Sequence, residues 1–204
     1  MTDLGFIHRF IPATRPDRPP LLLLHGTGGD ENDLLPIGQQ VAPGAALLSP
    51  RGKVLEHGMP RFFRRLAEGV FDLEDLKART AELAAFIAAA RKAYGLAAPV
   101  ALGFSNGANI AASLLLTQPG ALAGAVLVRA MLPFEPAAVP DLKNTPVLLL
   151  SGASDPMVPA ASHARLAAVL GETGAAVTHK VVPAGHGLTH QDLALAAQWL
   201  ETLT

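Results

Sequence analysis

The chain has 204 residues, half of them hydrophobic, with 16 basic and 17 acidic side chains and a formal net charge of −1. That balance leaves no electrostatic footprint for nucleic acid or an anionic membrane, and the absence of cysteine removes disulfides, thiolate metal sites and a cysteine nucleophile. Mean hydropathy is +0.33, yet no apolar run approaches the roughly 18 to 20 residues of a membrane span.

The length suits one domain over 1–204 with a substantial core and no linker to a second. MTDLGFIHRF lacks the basic, apolar and small-residue succession of a signal peptide. With no cysteine to oxidise, the expected location is the cytoplasm.

Phe6 to Ile11 reads as a first strand, closed by Pro12 and followed by a proline-rich turn from Thr14 to Pro20. Leu21 to Leu24 reads as a strand buried on both faces. It runs into His25-Gly26-Thr27-Gly28-Gly29-Asp30, a glycine-rich loop at the carboxyl end of a strand, which is the ligand-binding edge of an open α/β sheet. Neither the Walker spacing nor G-x-G-x-x-G is present. The loop is therefore read as a source of backbone N–H groups for a developing oxyanion.

Glu31 to Val41 reads as a helix interrupted at Pro36, and Ala45 to Leu48 as a short strand. From Pro50 to Asp72 the chain has no clean period. Arg61, Arg64 and Arg65 read there as a solvated charged face, and Met59, Phe62 and Phe63 as the wall of an apolar pocket, with core packing under a long loop as the equal alternative. Asp72 and Asp75 cap a helix whose apolar face runs from Leu76 to Tyr94 and stops at Gly95.

The stretch from Pro99 to Gln118 is the centre of the chain. Val100-Ala101-Leu102 is a buried strand, Gly103-Phe104-Ser105-Asn106-Gly107 matches G-x-S-x-G, and Ile110, Leu114 and Thr117 recur at helical spacing. Strand, tight turn and helix in that order form a nucleophile elbow, in which glycine is needed at 103 and 107 because the helix doubles back on the strand. Further on lie strands at 121–128, 147–150 and 177–182 and helices at 160–170 and 191–203. Strands alternating with helices specify an α/β fold, a mostly parallel central sheet with helices on both faces.

A serine hydroxyl needs a base in hydrogen-bond reach, and the base needs a third group to hold its tautomer. Both belong in loops on the elbow's side of the sheet. Among seven histidines, His8 and His179 lie in strands, His163 in a helix, His57 in the irregular segment, and His190 at the start of the last helix. His25 is placed to order the glycine-rich loop. His186, in Pro183-Ala184-Gly185-His186-Gly187, is left as the base. Asp155 follows the 147–150 strand directly, whereas Asp141 precedes it and Asp192 falls inside the last helix. Before a proline, Asp155 also reads as a turn residue. The order Ser105, Asp155, His186 is that of α/β-hydrolases.

HGTGGDENDLLPIG, SPRGKV, GFSNGANIAASLLL, SGASDPMVP and AGHGL together resemble the phospholipase/carboxylesterase family of α/β-hydrolases, which includes acyl-protein thioesterases, over nearly the whole chain. The resemblance implies an esterase or thioesterase with Ser105, Asp155 and His186 as triad and the backbone N–H groups of Thr27 and Asn106 as oxyanion hole. Thioesterases of the eukaryotic type usually carry leucine and glutamine at the positions of Thr27 and Asn106, so this chain is more similar to bacterial carboxylesterases. A small-molecule ester is the expected substrate, with no cofactor and no metal. Longer-acyl thioesterase or lysophospholipase activity and a non-catalytic binding protein are the alternatives. Specificity would lie near Met59, Phe62, Phe63, Met131 and Met157, and a homodimer fits the resemblance and the apolar composition.

Overall fold

A computed structural model describes residues 4–203; the first three residues of the N-terminal stretch read above lie outside them. The frame is a seven-stranded sheet of β1 (His8–Ile11), β2 (Leu21–Leu24), β3 (Leu47–Pro50), β8 (Val100–Phe104), β9 (Gly124–Val128), β10 (Pro146–Gly152) and β11 (Ala176–Val182), in the order β1-β3-β2-β8-β9-β10-β11. Only β1 runs antiparallel to its neighbour; every other pairing in this sheet is parallel.

Alternation along the strands divides the core into two layers, as strand geometry requires. Leu22 and Leu24, with Ala101, Leu127 and Leu149, pack with α2 (Leu73–Tyr94), α3 (Asn106–Thr117) and α4 (Ala160–Glu172). Leu21 and Leu23, with Leu102, Val126 and Leu148, pack with α1 (Leu35–Val41) and α5 (His190–Glu201). Apolar side chains on both faces of β2 explain its unbroken leucine run. None of the described helices is long and apolar enough to cross a membrane.

Two expectations are corrected. Pro36 begins α1 rather than interrupting it, because a proline in the first turn has no intrahelical N–H to lose. The 50–72 segment is not irregular: β4 (Val54–Glu56) pairs with β5 (Met59–Arg61), and β6 (Arg65–Ala67) with β7 (Val70–Phe71). The first hairpin turns through His57 and Gly58, both at positive φ, the geometry whose twist matches the flanking strands. Helix α2 has the expected ends: Asp72 accepts from the Asp75 amide, and Gly95 closes the helix in the left-handed region.

Candidate active site

Ser105 stands between β8 and α3 with φ 52° and ψ −113°. A non-glycine residue there costs of order 1 kcal/mol and persists only where its surroundings fix it. Here the Ser105 amide donates to Val128 O at 2.9 Å and its carbonyl accepts from Asn109 N at 2.9 Å. The glycine requirement at the turn is steric. A Cβ at Gly103 would lie 2.7 Å from Ala108 Cα, and one at Gly107 only 2.0 Å from Leu24 O. The second contact corrects the sequence expectation, since at Gly107 the helix meets the neighbouring strand β2 rather than the strand it left.

His186 and Asp155 reach Ser105 from the loops after β11 and β10. His186 Nε2 lies 2.9 Å from Ser105 Oγ, and His186 Nδ1 lies 2.9 Å from Asp155 Oδ2. A carboxylate only accepts, so Nδ1 carries the proton and Nε2 is left to accept from the serine hydroxyl. Burial pushes the Asp155 carboxyl up, but the His186 hydrogen bond and those from the Met157 and Val158 amides outweigh it and hold the group below its ordinary value. Asp155 thus fills the turn and the pairing roles with separate oxygens, Oδ1 for the turn and Oδ2 for the imidazole.

The glycine-rich loop after β2 faces the same point. His25 is buried; its Nδ1 donates to Gly26 O at 2.7 Å and its Nε2 accepts from Gly52 N at 3.0 Å, which ties the loop to the 51–52 segment. Burial holds its imidazole below the ordinary value of 6.5. The amides of Thr27 and Asn106 donate to no protein acceptor among the described residues, and the second belongs to the open first turn of α3. Both residues and Ser105 line one small cleft of about 50 Å³.

Met131 and Met157 also line that cleft, together with Arg61, Arg65, Gly69, Phe71 and Asn109. Met59 packs over Gly28 instead, 3.6 Å from where a Cβ there would stand. Phe62 and Phe63 form no wall. At 2% and 0% exposure they belong to the core, Phe62 against the His25 ring and Phe63 edge-on to Phe71. The hairpins turn both rings inward, which is the core-packing alternative.

The three arginines likewise do not share one solvated face. Arg64 is exposed and pairs with Asp72, whereas Arg61 is buried, donating to Thr27 Oγ1 at 2.6 Å, Phe63 O at 3.2 Å and Glu56 Oε2 at 3.3 Å. Arg65 donates to the other oxygen of Glu56, and that bond holds the Glu56 carboxyl below its ordinary value. The signal in the sequence was the pair of x-Gly turns, His57-Gly58 and Glu68-Gly69, each between short apolar runs. A larger hollow of about 450 Å³ lies at the opposite edge, among Pro20, Ala46 and Ala97 at the amino ends of the strands. No group of three or more histidine or acidic side chains among the described residues is arranged to hold a metal.

Comparison with known proteins bears on the family and the fold. The phospholipase/carboxylesterase family model matches residues 7–204. A Bacillus subtilis (strain 168) protein named "Putative hydrolase MhqD" is 45% identical over 181 residues, covering 88% of this chain and 90% of that one. Among solved structures, the Bacillus cereus carboxylesterase superimposes with a TM-score of 0.95 at 44% identity, covering 98% of this chain and 95% of the other. A carboxylesterase from Mesorhizobium loti does so with a TM-score of 0.93 at 35% identity, covering 98% and 97%. With sheet order, elbow and whole-length similarity in agreement, the chain is a hydrolase of the phospholipase/carboxylesterase family and has the α/β-hydrolase fold.

Proposed function

We propose that this hydrolase is a serine carboxylesterase that cleaves small, short-acyl esters through an acyl-enzyme. The observation that carries the reading is the continuous hydrogen-bonded chain from Ser105 Oγ through His186 to Asp155, both links at 2.9 Å. His186 Nε2 takes the hydroxyl proton as Ser105 Oγ attacks the ester carbonyl, and Asp155 stabilises the imidazolium. The carbonyl oxygen, now anionic, is held by the N–H groups of Thr27 and Asn106. The imidazolium returns the proton to the departing alkoxide, releasing the alcohol and leaving an ester on Ser105. Water then repeats the sequence, His186 taking its proton and returning it to Ser105 as the acid leaves.

A small cleft closed by Met131 and Phe71 favours short acyl groups. One feature favours a second reading, acyl thioesterase or lysophospholipase: Leu66 and Val70, beside the cleft-lining Glu68 and Gly69, are 73% and 51% exposed and could extend an acyl path. Hydrolysis of p-nitrophenyl esters from acetate to palmitate, with Ser105→Ala as the blank, tests both. Ser105→Ala should lose turnover by about a millionfold. A residual tenth of the activity would refute the serine mechanism, and a rate rising towards palmitate would replace the short-acyl reading with the second.

A further inference from the structure

Arg129 is the largest fully buried side chain among the described residues, and the proposed reaction gives it no role. It stands just after β9 at φ 57°, a conformation unfavourable for a long side chain. All five guanidinium N–H donors find acceptors. Nη1 and Nη2 pair with the two oxygens of Asp192 at 2.9 and 2.8 Å, and the second Nη1 hydrogen reaches Leu150 O at 3.3 Å. Nε donates to Gly185 O at 2.9 Å, and the second Nη2 hydrogen to Gly187 O at 3.2 Å.

Those last two carbonyls bracket His186. A purely structural ion pair would need only Asp192, which is itself fixed by the capping box with Thr189 at the start of α5. The guanidinium instead grips the peptide on each side of the imidazole-bearing residue. The same stretch also sets the position of the serine, because Val128 O accepts from the Ser105 amide, and Arg129 N donates to Leu150 O on the strand that leads to Asp155. We infer that Arg129 is the positioning residue of the reaction, holding the His186 loop in register with Ser105 and Asp155 through Gly185 and Gly187. The role rests on the proposed serine hydrolase mechanism.

Lysine cannot reproduce the fork, since an ammonium is a point donor and a guanidinium is planar and bidentate. Arg129→Lys should therefore lower kcat about 10- to 100-fold while KM stays within about threefold, a loss consistent with misplacing a catalytic group by a fraction of an ångström. The low-field proton resonance of His186 Nδ1–H, which reports its bond to Asp155, should shift or broaden in the same variant. Asp192→Asn keeps the guanidinium and its two carbonyl contacts. It should lower the melting temperature, yet hold kcat per titrated active site within about threefold and leave the proton resonance in place.

Both variants are handled in about 1 M trimethylamine N-oxide, which favours the buried state. Unchanged kcat and resonance in folded Arg129→Lys would overturn the inference, as would an equal loss of kcat in Asp192→Asn. If Arg129→Lys yields no folded protein, Asp192→Asn decides alone: retained turnover supports the role and lost turnover removes it. Ser105→Ala separates this result from the mechanism beneath it. If that variant stays active the serine reading fails, while the His186 resonance still reports whether Arg129 orients the imidazole.

Discussion

The two sides of the Ser105 cleft are built by different means. On one side Ser105, Asp155 and His186 stand at or just beyond the carboxyl ends of β8, β10 and β11, where backbone hydrogen bonds and the Arg129 guanidinium, through Gly185 O and Gly187 O, fix them. On the other side two short hairpins, 54–61 and 65–71, stand outside the main sheet, joined to each other through Glu56, which pairs with Arg61 and Arg65, and to the rest of the protein by single hydrogen bonds such as Gly28 N to Pro60 O and Phe62 N to Asn106 Oδ1. Leu55, Leu66 and Val70 remain exposed there. Chemistry that tolerates little displacement is placed on the rigid sheet, and the side that meets a variable substrate is left to short, partly solvated elements.

The contrast predicts unequal costs of mutation. On the sheet side, Asp155→Asn should leave the fold intact and lower kcat about 10⁴-fold, because an amide stabilises the wrong imidazole tautomer. Steady-state kinetics with p-nitrophenyl acetate checks it. A silent Asp155→Asn alongside a damaging Asp141→Asn would move the acid to the other side of β10. On the hairpin side, Arg61→Met should be milder. It removes the donor to Thr27 Oγ1 but not the Thr27 amide, so kcat should fall roughly 10- to 100-fold, below the loss of up to about 10³ seen when an oxyanion donor itself is removed. A loss as large as that of Asp155→Asn would mean that the hairpins are as exacting as the sheet.

A third effect belongs to the seams between the regions. Burial depresses the imidazoles of His25, His163 and His179 below 6.5. His25 joins the glycine-rich loop to the chain leading into the hairpins, and His163 donates to Ala130 O beside Arg129. In the unfolded chain these groups take up protons near 6.5, while in the folded protein they do so only at lower pH. The stability they confer is complete above about 6.5 and is lost as pH falls from there through the folded values, by at most about 1.4 kcal/mol per pH unit for each group. Urea midpoints should fall between pH 7.5 and 5.5, and a flat profile would contradict the assignment.

How much of this was legible follows the same division. Four leucines in β2, G-x-S-x-G at the elbow and Asp72…Gly95 around α2 are local constraints, each set by a strand's burial, a steric approach or a helix end, so they could be read residue by residue. Asp155 and His186 were legible because the ends of parallel strands converge on one edge. Arg129 was not: its partner Asp192 lies 63 residues away, and neither carries a local motif for pairing. For Phe62 and Phe63 the sequence leaves pocket wall and core packing as equal alternatives, because the tight turns on either side of them carry no clean period. In the folded hairpins both rings belong to the buried core, Phe62 against His25 and Phe63 against Phe71, and the cleft is left to Phe71 and Met131.

Met131 offers the finest test of the difference. It follows Arg129 by two residues, so its backbone belongs to the rigid side, and its amide donates to Asn109 Oδ1 at 2.9 Å. Its side chain points to the other side, with the methyl carbon 4.0 Å from where a Cβ on Gly69 of the β6–β7 turn would stand. The thioether therefore closes the cleft between the two regions, and an unbranched side chain suits a gap of irregular shape. Met131→Ala should open that gap without disturbing the amide or Ser105. The ratio of kcat/KM for p-nitrophenyl hexanoate over acetate should rise about fivefold to tenfold, within the range of one or two methylenes gaining a pocket, while the acetate value stays within about twofold. A rise confined to long esters would extend the acyl path along Leu66 and Val70. An equal fall for all esters would instead make Met131 part of the rigid side and shift specificity to the hairpins alone.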